Sequence, residues 1–466
     1  MRRFELFLVF GEVFAVAWPA VFGVRTRRGI AAGLLVALFV LHWQLEGLRW
    51  QMIPVYGAAL GLVIGDILAV ERRVDWTSRI ARGIFGVAGV ALGAVLPLIL
   101  PVPELPVPTG PEPIGTVTVA LIDREREELY GRPRSGEARR LVAQVWYPAL
   151  AGEGVEPVPW SEDWDIVAPG VATEMGFPGW FLDHTRYTPS HSIPSAPIAP
   201  GAFPVVIFSH GWSGFRSMAI NQIESLASNG FIVVAVDHTH ASVATRFPDG
   251  DVVRLDPAAL PDRAEVGEEA YETAVETLLD VFTEDIVTVV NALEAGEEGP
   301  FGAFASSADV TRLGVYGYET GGGAAIQFCL VDERCDAVLG LDPWVEPIPD
   351  RVLAISAPRP ALYLRSDDWR GSENDAILRG IAERSTETTY WIGVEGAVEN
   401  DLVATPLLSP LASRLGWKGP IPAGRVIPII DRYLVGFFDV FLLGTGPAAL
   451  DTASFDEVTL EVIRPG

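Results

Sequence analysis

The chain has 466 residues, a mean hydropathy of +0.29 and a net charge of −26 from 60 acidic and 34 basic side chains. So positive a hydropathy beside so many charges requires apolar and charged residues to be segregated, and the length predicts a membrane part and one large globular part. Residues 1–100 hold ten Arg against six acidic residues (+4), and the remainder holds 24 basic against 54 acidic (−30), which excludes phosphate-tracking nucleic-acid binding.

Apolar stretches at Phe4–Val24, Gly29–Leu45, Met52–Val70 and Gly83–Val102 approach the ~20 residues that span a bilayer. They predict a transmembrane bundle of about four helices over residues 1–102. The first stretch contains Glu5 and Glu12 and the second is short, so either could lie at the interface. Further apolar segments follow and no small-residue cleavage site is evident, which argues against a signal peptide. Arg25, Arg27 and Arg28, with Arg72, Arg73, Arg79 and Arg82, lie on one side, and Arg2, Arg3 and Arg49 on the other. That asymmetry places the Arg-rich loops in the cytoplasm and everything after the fourth segment outside. Intramembrane carboxylates are functional candidates by default; Glu12 is one, and Asp66 is another, near enough to a segment end to reach water. Residues 103–115 carry Pro103, Pro106, Pro108, Pro111 and Pro113 and read as a stiff, extended spacer.

From 116 to 445 short apolar strands alternate with helices. Strand-like runs are Thr116–Ile122, Leu141–Tyr147, Pro204–Ser209, Phe231–Val236, Leu313–Tyr316, Ala337–Leu341, Ala361–Leu364 and Thr389–Ile392; helical periodicity fits Ser217–Ser228, Glu269–Glu294, Ala324–Val331, Asn374–Glu383 and Val426–Leu443. Such alternation predicts an α/β domain with a doubly wound, mostly parallel sheet. The acidic stretch Glu265–Glu298 fits the solvated face of a long helix, and residues 446–466 read as a C-terminal tail. Cys329 and Cys335 lack metal-site spacing and read as two buried thiols, with a disulfide the alternative in an exported domain.

The chemistry-bearing motif is Gly317-Tyr318-Glu319-Thr320-Gly321. In G-x-S-x-G a strained strand-to-helix turn lifts a serine hydroxyl to the top of an α/β-hydrolase sheet; here the turn would lift a carboxylate. With this motif, two further segments resemble the platelet-activating factor acetylhydrolase family of α/β-hydrolases. One runs from Phe203-Pro204-Val205-Val206-Ile207-Phe208-Ser209-His210-Gly211 through Phe215-Arg216-Ser217 to Asp237-His238. The other is Leu341-Asp342-Pro343-Trp344. The resemblance covers about 116–440 and implies a serine, an aspartate and a histidine in chain order. Asp342 matches the aspartate, while Glu319 stands at the serine and Glu399 at the histidine. The six histidines are His42, His184, His191, His210, His238 and His240, none after the elbow, so that order cannot be met.

A serine hydroxyl needs a neighbouring base, and both are missing. The backbone N–H groups of Trp212 and Thr320 survive as the implied oxyanion hole. Glu319 as a carboxylate nucleophile is a minor alternative. Glu319, Asp342 and Glu399 as a Ca²⁺ or Mg²⁺ site is another, though few oxygens are at hand; neither a metal nor a cofactor is expected. His210 reads as structural, as does His238, although His238 and His240 alternate as zinc ligands would. The stretch with Trp160, Trp164, Trp180 and Phe181 reads equally as a lid or as core. The expectation is a membrane-anchored, extracytoplasmic relative of these hydrolases that is non-catalytic and binds a lipid, an ester-like ligand or a protein partner. An active carboxylic ester hydrolase is the competing class.

Overall fold

The structure is a computed structural model that describes every residue except 23–29, 68–75, 132–135, 153, 447–449, 451–454 and 466. Of the arginines that orient the membrane region, Arg25, Arg27, Arg28, Arg72 and Arg73, and the side chains of Arg79 and Arg82, lie outside the described residues. The chain divides into two compact units.

The first unit comprises Met1–Glu104 with Asp183–Thr188 and Leu408–Leu411. Its helices are α1 (Arg3–Phe22), α2 (Ile30–Glu46), α3 (Ile53–Ile67), α4 (Trp76–Gly93) and α5 (Val95–Ile99). Among the described residues one helix, Trp50–Ile67, is long and apolar enough to cross a membrane, and Ile30–Glu46 and Gly83–Ile99 are apolar but shorter. The apolar side chains face outward: Phe7, Phe10, Phe14, Leu60, Ile84 and Phe85 are exposed, around a small core of Leu8, Leu35, Met52, Val55 and Ala59. Polar groups sit inside. Buried Arg49 forks onto Glu5 at 2.7 and 2.8 Å, and also donates to the Leu100 carbonyl at 2.6 Å. His42 bridges Glu46 at 3.1 Å and Tyr56 at 2.7 Å. Glu12 is buried, and neither carboxylate oxygen meets a hydrogen-bond partner among the described residues.

The second unit is built on a sheet. Its strands are β1 (Ile114–Glu127), β2 (Ala138–Pro148), β3 (Ser192–Pro194), β4 (Phe203–Ser209), β5 (Ile232–Asp237), β6 (Ala244–Arg246), β7 (Val252–Arg254), β8 (Ala308–Tyr318), β9 (Ala337–Leu341), β10 (Ala361–Arg365), β11 (Thr389–Val394) and β12 (Val458–Ile463). Ten of these form one sheet in the order β12-β11-β10-β9-β8-β4-β5-β2-β1-β3, and β6 and β7 make a separate hairpin. Pairing is parallel from β5 through β4, β8, β9 and β10 to β11, and antiparallel at β2–β5, β1–β2 and β11–β12. Strands β4 and β5 are almost wholly apolar and buried, as a parallel centre covered on both faces requires. The helices are α6 (Trp164–Glu174), α7 (Ile220–Ser228), α8 (Arg263–Val266), α9 (Glu268–Glu294), α10 (Thr320–Val331), α11 (Asp350–Leu353), α12 (Glu373–Glu383) and α13 (Ala423–Leu442). On α9, Val275, Leu278, Leu279, Phe282, Ile286, Val289 and Leu293 are buried at helical spacing while Glu272 and Glu276 face water. The mostly parallel sheet anticipated from the strand–helix alternation is present, and it fits the α/β-hydrolase fold that the Gly317–Gly321 motif implied.

Three expectations change. The sulfurs of Cys329 and Cys335 are bonded, so the pair is not two free thiols. The chain reverses between α10 and β9 and brings the two Cα atoms to 5.2 Å, within disulfide reach. Residues 446–466 are not merely a tail, because their alternating Val458-Thr459-Leu460-Glu461-Val462-Ile463 adds β12 to the sheet edge beside β11. The Pro-rich stretch is only partly a spacer: from Leu105 it belongs to the second unit, and Gly110 and Glu112 donate backbone N–H groups to Ser228 at 3.0 and 3.1 Å.

A buried ionic network ties α9 to the sheet. Arg139 on β2 contacts Asp285 through Nη2 at 2.6 Å and Glu128 through Nη1 at 2.9 Å. Burial disfavours the charge on Asp285, but Arg139 and His238 overcome this and hold its carboxyl far below the usual range. Removing one partner of such a pair leaves the other charge buried and unpaired, so Asp285→Ala is expected to lower stability by roughly 3–5 kcal/mol. Chemical denaturation of the full chain checks this; a loss below about 1 kcal/mol would place the network among ordinary surface pairs.

Candidate active site

Strand β8 runs into Tyr318, the chain turns sharply at Glu319 (φ 52°, ψ −118°), and α10 begins at Thr320. A non-glycine residue in that conformation costs on the order of 1–3 kcal/mol and persists only where its surroundings over-determine it. Here the Glu319 N–H donates to the Leu341 carbonyl at 3.0 Å, and its carbonyl accepts from the Trp344 N–H at 2.9 Å. Gly321 packs so closely on the end of β4 that a Cβ there would lie 2.2 Å from the Ser209 carbonyl oxygen.

The loop after β4 supplies the other wall. Its Trp212 N–H donates to Glu319 Oε2 at 2.7 Å, and Thr320 Oγ1 donates to the same oxygen at 2.6 Å. The Glu319 carboxylate therefore occupies the point on which the Trp212 N–H and the Thr320 hydroxyl converge. Gly211 makes room for it, since a Cβ there would stand 2.6 Å from Oε2. Burial pushes the Glu319 carboxyl up from its ordinary range, against the bonds from Thr320 and Trp212. His210 fixes the loop: its Nδ1–H donates to the Gly211 carbonyl at 2.7 Å, so Nε2 is the acceptor for the His238 N–H at 3.1 Å. Arg216 anchors the far end, donating to Asp237 at 2.5 Å and to Asp163 at 2.6 Å.

Asp342 follows β9 in a left-handed conformation (φ 43°). Its Oδ1 accepts the Ser366 N–H at 2.8 Å, whereas Oδ2 is buried and meets no hydrogen-bond partner among the described residues. Burial pushes this carboxyl up to about 7 against the Ser366 bond. Glu399 opens a short 3₁₀ turn after β11. Asp401 braces that turn by accepting the Val398 and Gly419 N–H groups at 3.0 and 2.7 Å, and it pairs with Lys418, the only lysine in the chain, at 3.1 Å. Burial, then the charges of Glu319, Asp342 and Asp368, push Glu399 up to about 8, and the Trp369 indole bond opposes this. Glu319, Asp342 and Glu399 thus lie within electrostatic reach of one another. Among the described residues their oxygens do not gather as metal ligands would; the set that does is Glu5, His42 and Glu46.

Other sequence candidates fall elsewhere. Trp160 and Trp164 are buried, paired edge to face, with the Trp160 indole donating to the Ser217 carbonyl at 2.7 Å; they are core. Phe181 stacks on Phe177 and both abut Trp417, while Trp180 is exposed. The zinc alternative for His238 and His240 fails because both His238 nitrogens are engaged. Nδ1–H donates to Asp285 at 3.0 Å, and Nε2 accepts the Ser209 hydroxyl at 2.8 Å. Ser209, His238 and Asp285 thus form a hydrogen-bonded line in the relay order, which sequence spacing did not reveal. All three are fully buried beneath the sheet top, so no acyl group reaches Ser209 and the line braces the loop that carries Trp212.

The raised carboxyls set a pH dependence. A group whose folded pKa lies above its unfolded value adds stability below the unfolded pKa and loses it as pH rises through the folded one. Asp342, Glu399 and Asp431, the last pushed up to about 7 by burial, should therefore lower the thermal midpoint as pH rises from 5 to 9. Asp342→Asn with Glu399→Gln should flatten that fall. Calorimetry across the range checks it, and equal slopes for wild type and double variant would mean that these two carboxyls do not set it.

A family model described as platelet-activating factor acetylhydrolase, isoform II, matches residues 188–256 and 266–442. The chain is 24% identical over 266 residues to the platelet-activating factor acetylhydrolase of Cavia porcellus, covering 53% of this chain and 60% of that one. It is 29% identical over 219 residues to the Bos taurus enzyme of the same name, covering 43% and 48%. To a probable 1-alkyl-2-acetylglycerophosphocholine esterase of Arthroderma benhamiae it is 22% identical over 264 residues, covering 52% and 61%. The chain thus spans half to three-fifths of the length of these relatives. Among solved structures, a ferulic acid esterase from Streptomyces cinnamoneus superposes with a TM-score of 0.63 at 24% identity over 77% of this chain and 99% of that one, a likeness of fold. The family match takes in more than half of the sequence, from the strand before the Trp212 loop to α13, and the chain belongs to the platelet-activating factor acetylhydrolase isoform II family.

Proposed function

We propose that this chain is a membrane-anchored member of the family with its hydrolase domain outside the cytoplasm. In it Glu319 and Glu399 occupy the serine and histidine positions, serine-esterase chemistry is absent, and the site binds a ligand or partner. One observation carries the reading: Glu319 Oε2 lies 2.7 Å from the Trp212 N–H. In acyl transfer such donors must be open to the oxygen on which charge develops; here the chain's own carboxylate holds them. The same contact argues against Glu319 as a nucleophile, because the carboxylate is folded back onto donors that a tetrahedral intermediate would require.

Anchoring draws support from the seven-to-three Arg asymmetry, from the candidate span Trp50–Ile67 and from the outward-facing apolar surface of the first unit. The Cys329–Cys335 disulfide fits an oxidising compartment. Protease added to intact cells is expected to cut within residues 103–466; protection of that domain, with cleavage only in inverted vesicles, would reverse the topology.

The wild-type chain is expected neither to react with a fluorophosphonate probe nor to hydrolyse short acyl esters above background. Stoichiometric labelling of any serine would overturn the reading. Since a triad acts as a unit, Glu319→Ser with Glu399→His is expected to give measurable ester hydrolysis beside Asp342, and neither single change to do so. Equal activity from Glu319→Ser alone would remove residue 399 from the histidine position.

A further inference from the structure

His240 has no part in the Glu319 site; it lines a separate cavity of about 210 Å³. The cavity lies where the β1–β2 turn, the loop after β5 and the β6–β7 hairpin meet, and among the described residues it shares no wall with the Glu319 site. Gly131, Glu137 and Asp251 on its walls are exposed, so it opens to water. Its size falls below the ~300–1,000 Å³ of pockets that take drug-sized ligands, so its occupant is small. The walls are fixed. His240 is held at φ 68°, a left-handed conformation uncommon outside glycine, and its carbonyl accepts the Asp256 N–H at 2.8 Å. Asp256 Oδ2 in turn accepts the Gly131 N–H at 2.8 Å, and the His240 imidazole leaves no room for a Cβ on Gly131. The Arg140 guanidinium lies over the Phe247 ring at 4.0 Å. Thr239 joins these walls to the core: its hydroxyl donates to the Arg140 carbonyl at 2.6 Å, and its carbonyl accepts from Arg139 at 3.0 Å.

We propose that this cavity binds a small neutral polyol, the size of one pyranose ring, whose hydroxyls bond His240, Arg140 and Glu128 and whose C–H face rests on the apolar walls. The proposal stands apart from the reading of the Glu319 site. Neutrality follows from the wall charges, which already have partners: Glu128 is met by Arg139 at 2.9 Å, and Arg140 by Asp249 and Asp251 at 2.5 and 3.1 Å. A charged ligand would have to displace one of these partners, whereas a hydroxyl uses the lone pairs and N–H groups that remain. Burial pushes the His240 imidazole below its usual range. At neutral pH it therefore offers one donor and one acceptor, and a hydroxyl, itself both, completes either. Tyr130, Phe247, Val252 and Val253 supply the apolar surface. A phosphate would meet the carboxylates of Glu128, Glu137 and Asp251. A single metal ion fits poorly, because among the described residues Glu128, Glu137 and His240 do not converge as ligands would.

NMR of the full chain with ¹³C-labelled histidine, in a polyoxyethylene detergent that carries no sugar, tests this. The His240 ring signal is the one lost in His240→Asn, a change that keeps a residue tolerant of the left-handed backbone. It is followed against methyl α-glucopyranoside, methyl β-galactopyranoside, methyl α-mannopyranoside and myo-inositol. At least one of the four is expected to move that signal saturably while the His42 and His184 signals stay in place. Ala138→Leu, which puts bulk into the cavity, should weaken this binding about ten-fold or more. Glucosamine and glucuronate, which carry a charge of either sign, should bind about ten-fold more weakly than the best neutral probe. No saturable shift with any of the four, tighter binding of either charged sugar, or affinity unchanged in Ala138→Leu would each overturn the proposal. If Ala138→Leu does not fold, Val253→Phe on the β6–β7 hairpin fills the same space and decides.

Discussion

The backbone at Glu319 is held in a left-handed, high-energy conformation, and the top of the sheet is arranged to keep it there. The turn persists because β9 takes its N–H, Trp344 takes its carbonyl, and Gly321 permits α10 to start against the end of β4. Those contacts bring the Trp212 loop and the start of α10 together, so that the Trp212 N–H and the Thr320 hydroxyl point at one spot. Strand order, glycine placement and loop bracing by His210 and Arg216 are all conditions of that convergence. The side chain that fills the spot belongs to the turn itself.

Two electrostatic regimes meet at this level of the sheet. Beneath it, Asp285 is surrounded by Arg139, Arg126 and His238, each within hydrogen-bonding distance, and stays ionised despite complete burial. Above it, burial favours the protonated forms of Glu319, Asp342 and Glu399, and the charges of the other two add to that at Glu399.

Much of this was legible in the sequence. The apolar runs of β4 and β5 and the helical spacing of α9 carried the sheet and its covering layer. The glycine-framed motif located the turn at Glu319 because strand, glycines and helix start must occur in that order for any side chain to be lifted there. Chain order of histidines was sufficient to discount a serine relay through residues 319 and 399. The rest depended on chain reversals that no local pattern encodes. Strand β12 follows a break after α13, so its alternation read as a tail. Cys335 meets Cys329 only because α10 turns back into β9. Ser209, His238 and Asp285 lie on two strands and a distant helix, and their alignment follows from register and helix packing. The retraction of Glu319 onto the Trp212 N–H needed side-chain geometry as well as motif position.

The retracted carboxylate also alters what the pocket loses when it is damaged. Donors that serve only a fleeting reaction intermediate can drift once the reaction ceases, because nothing in the resting protein depends on them. Here the Trp212 N–H and the Thr320 hydroxyl solvate a permanent resident of the fold, and a change that displaced the loop would strand a half-buried carboxylate. The geometry around Trp212 is thereby tied to the stability of the fold.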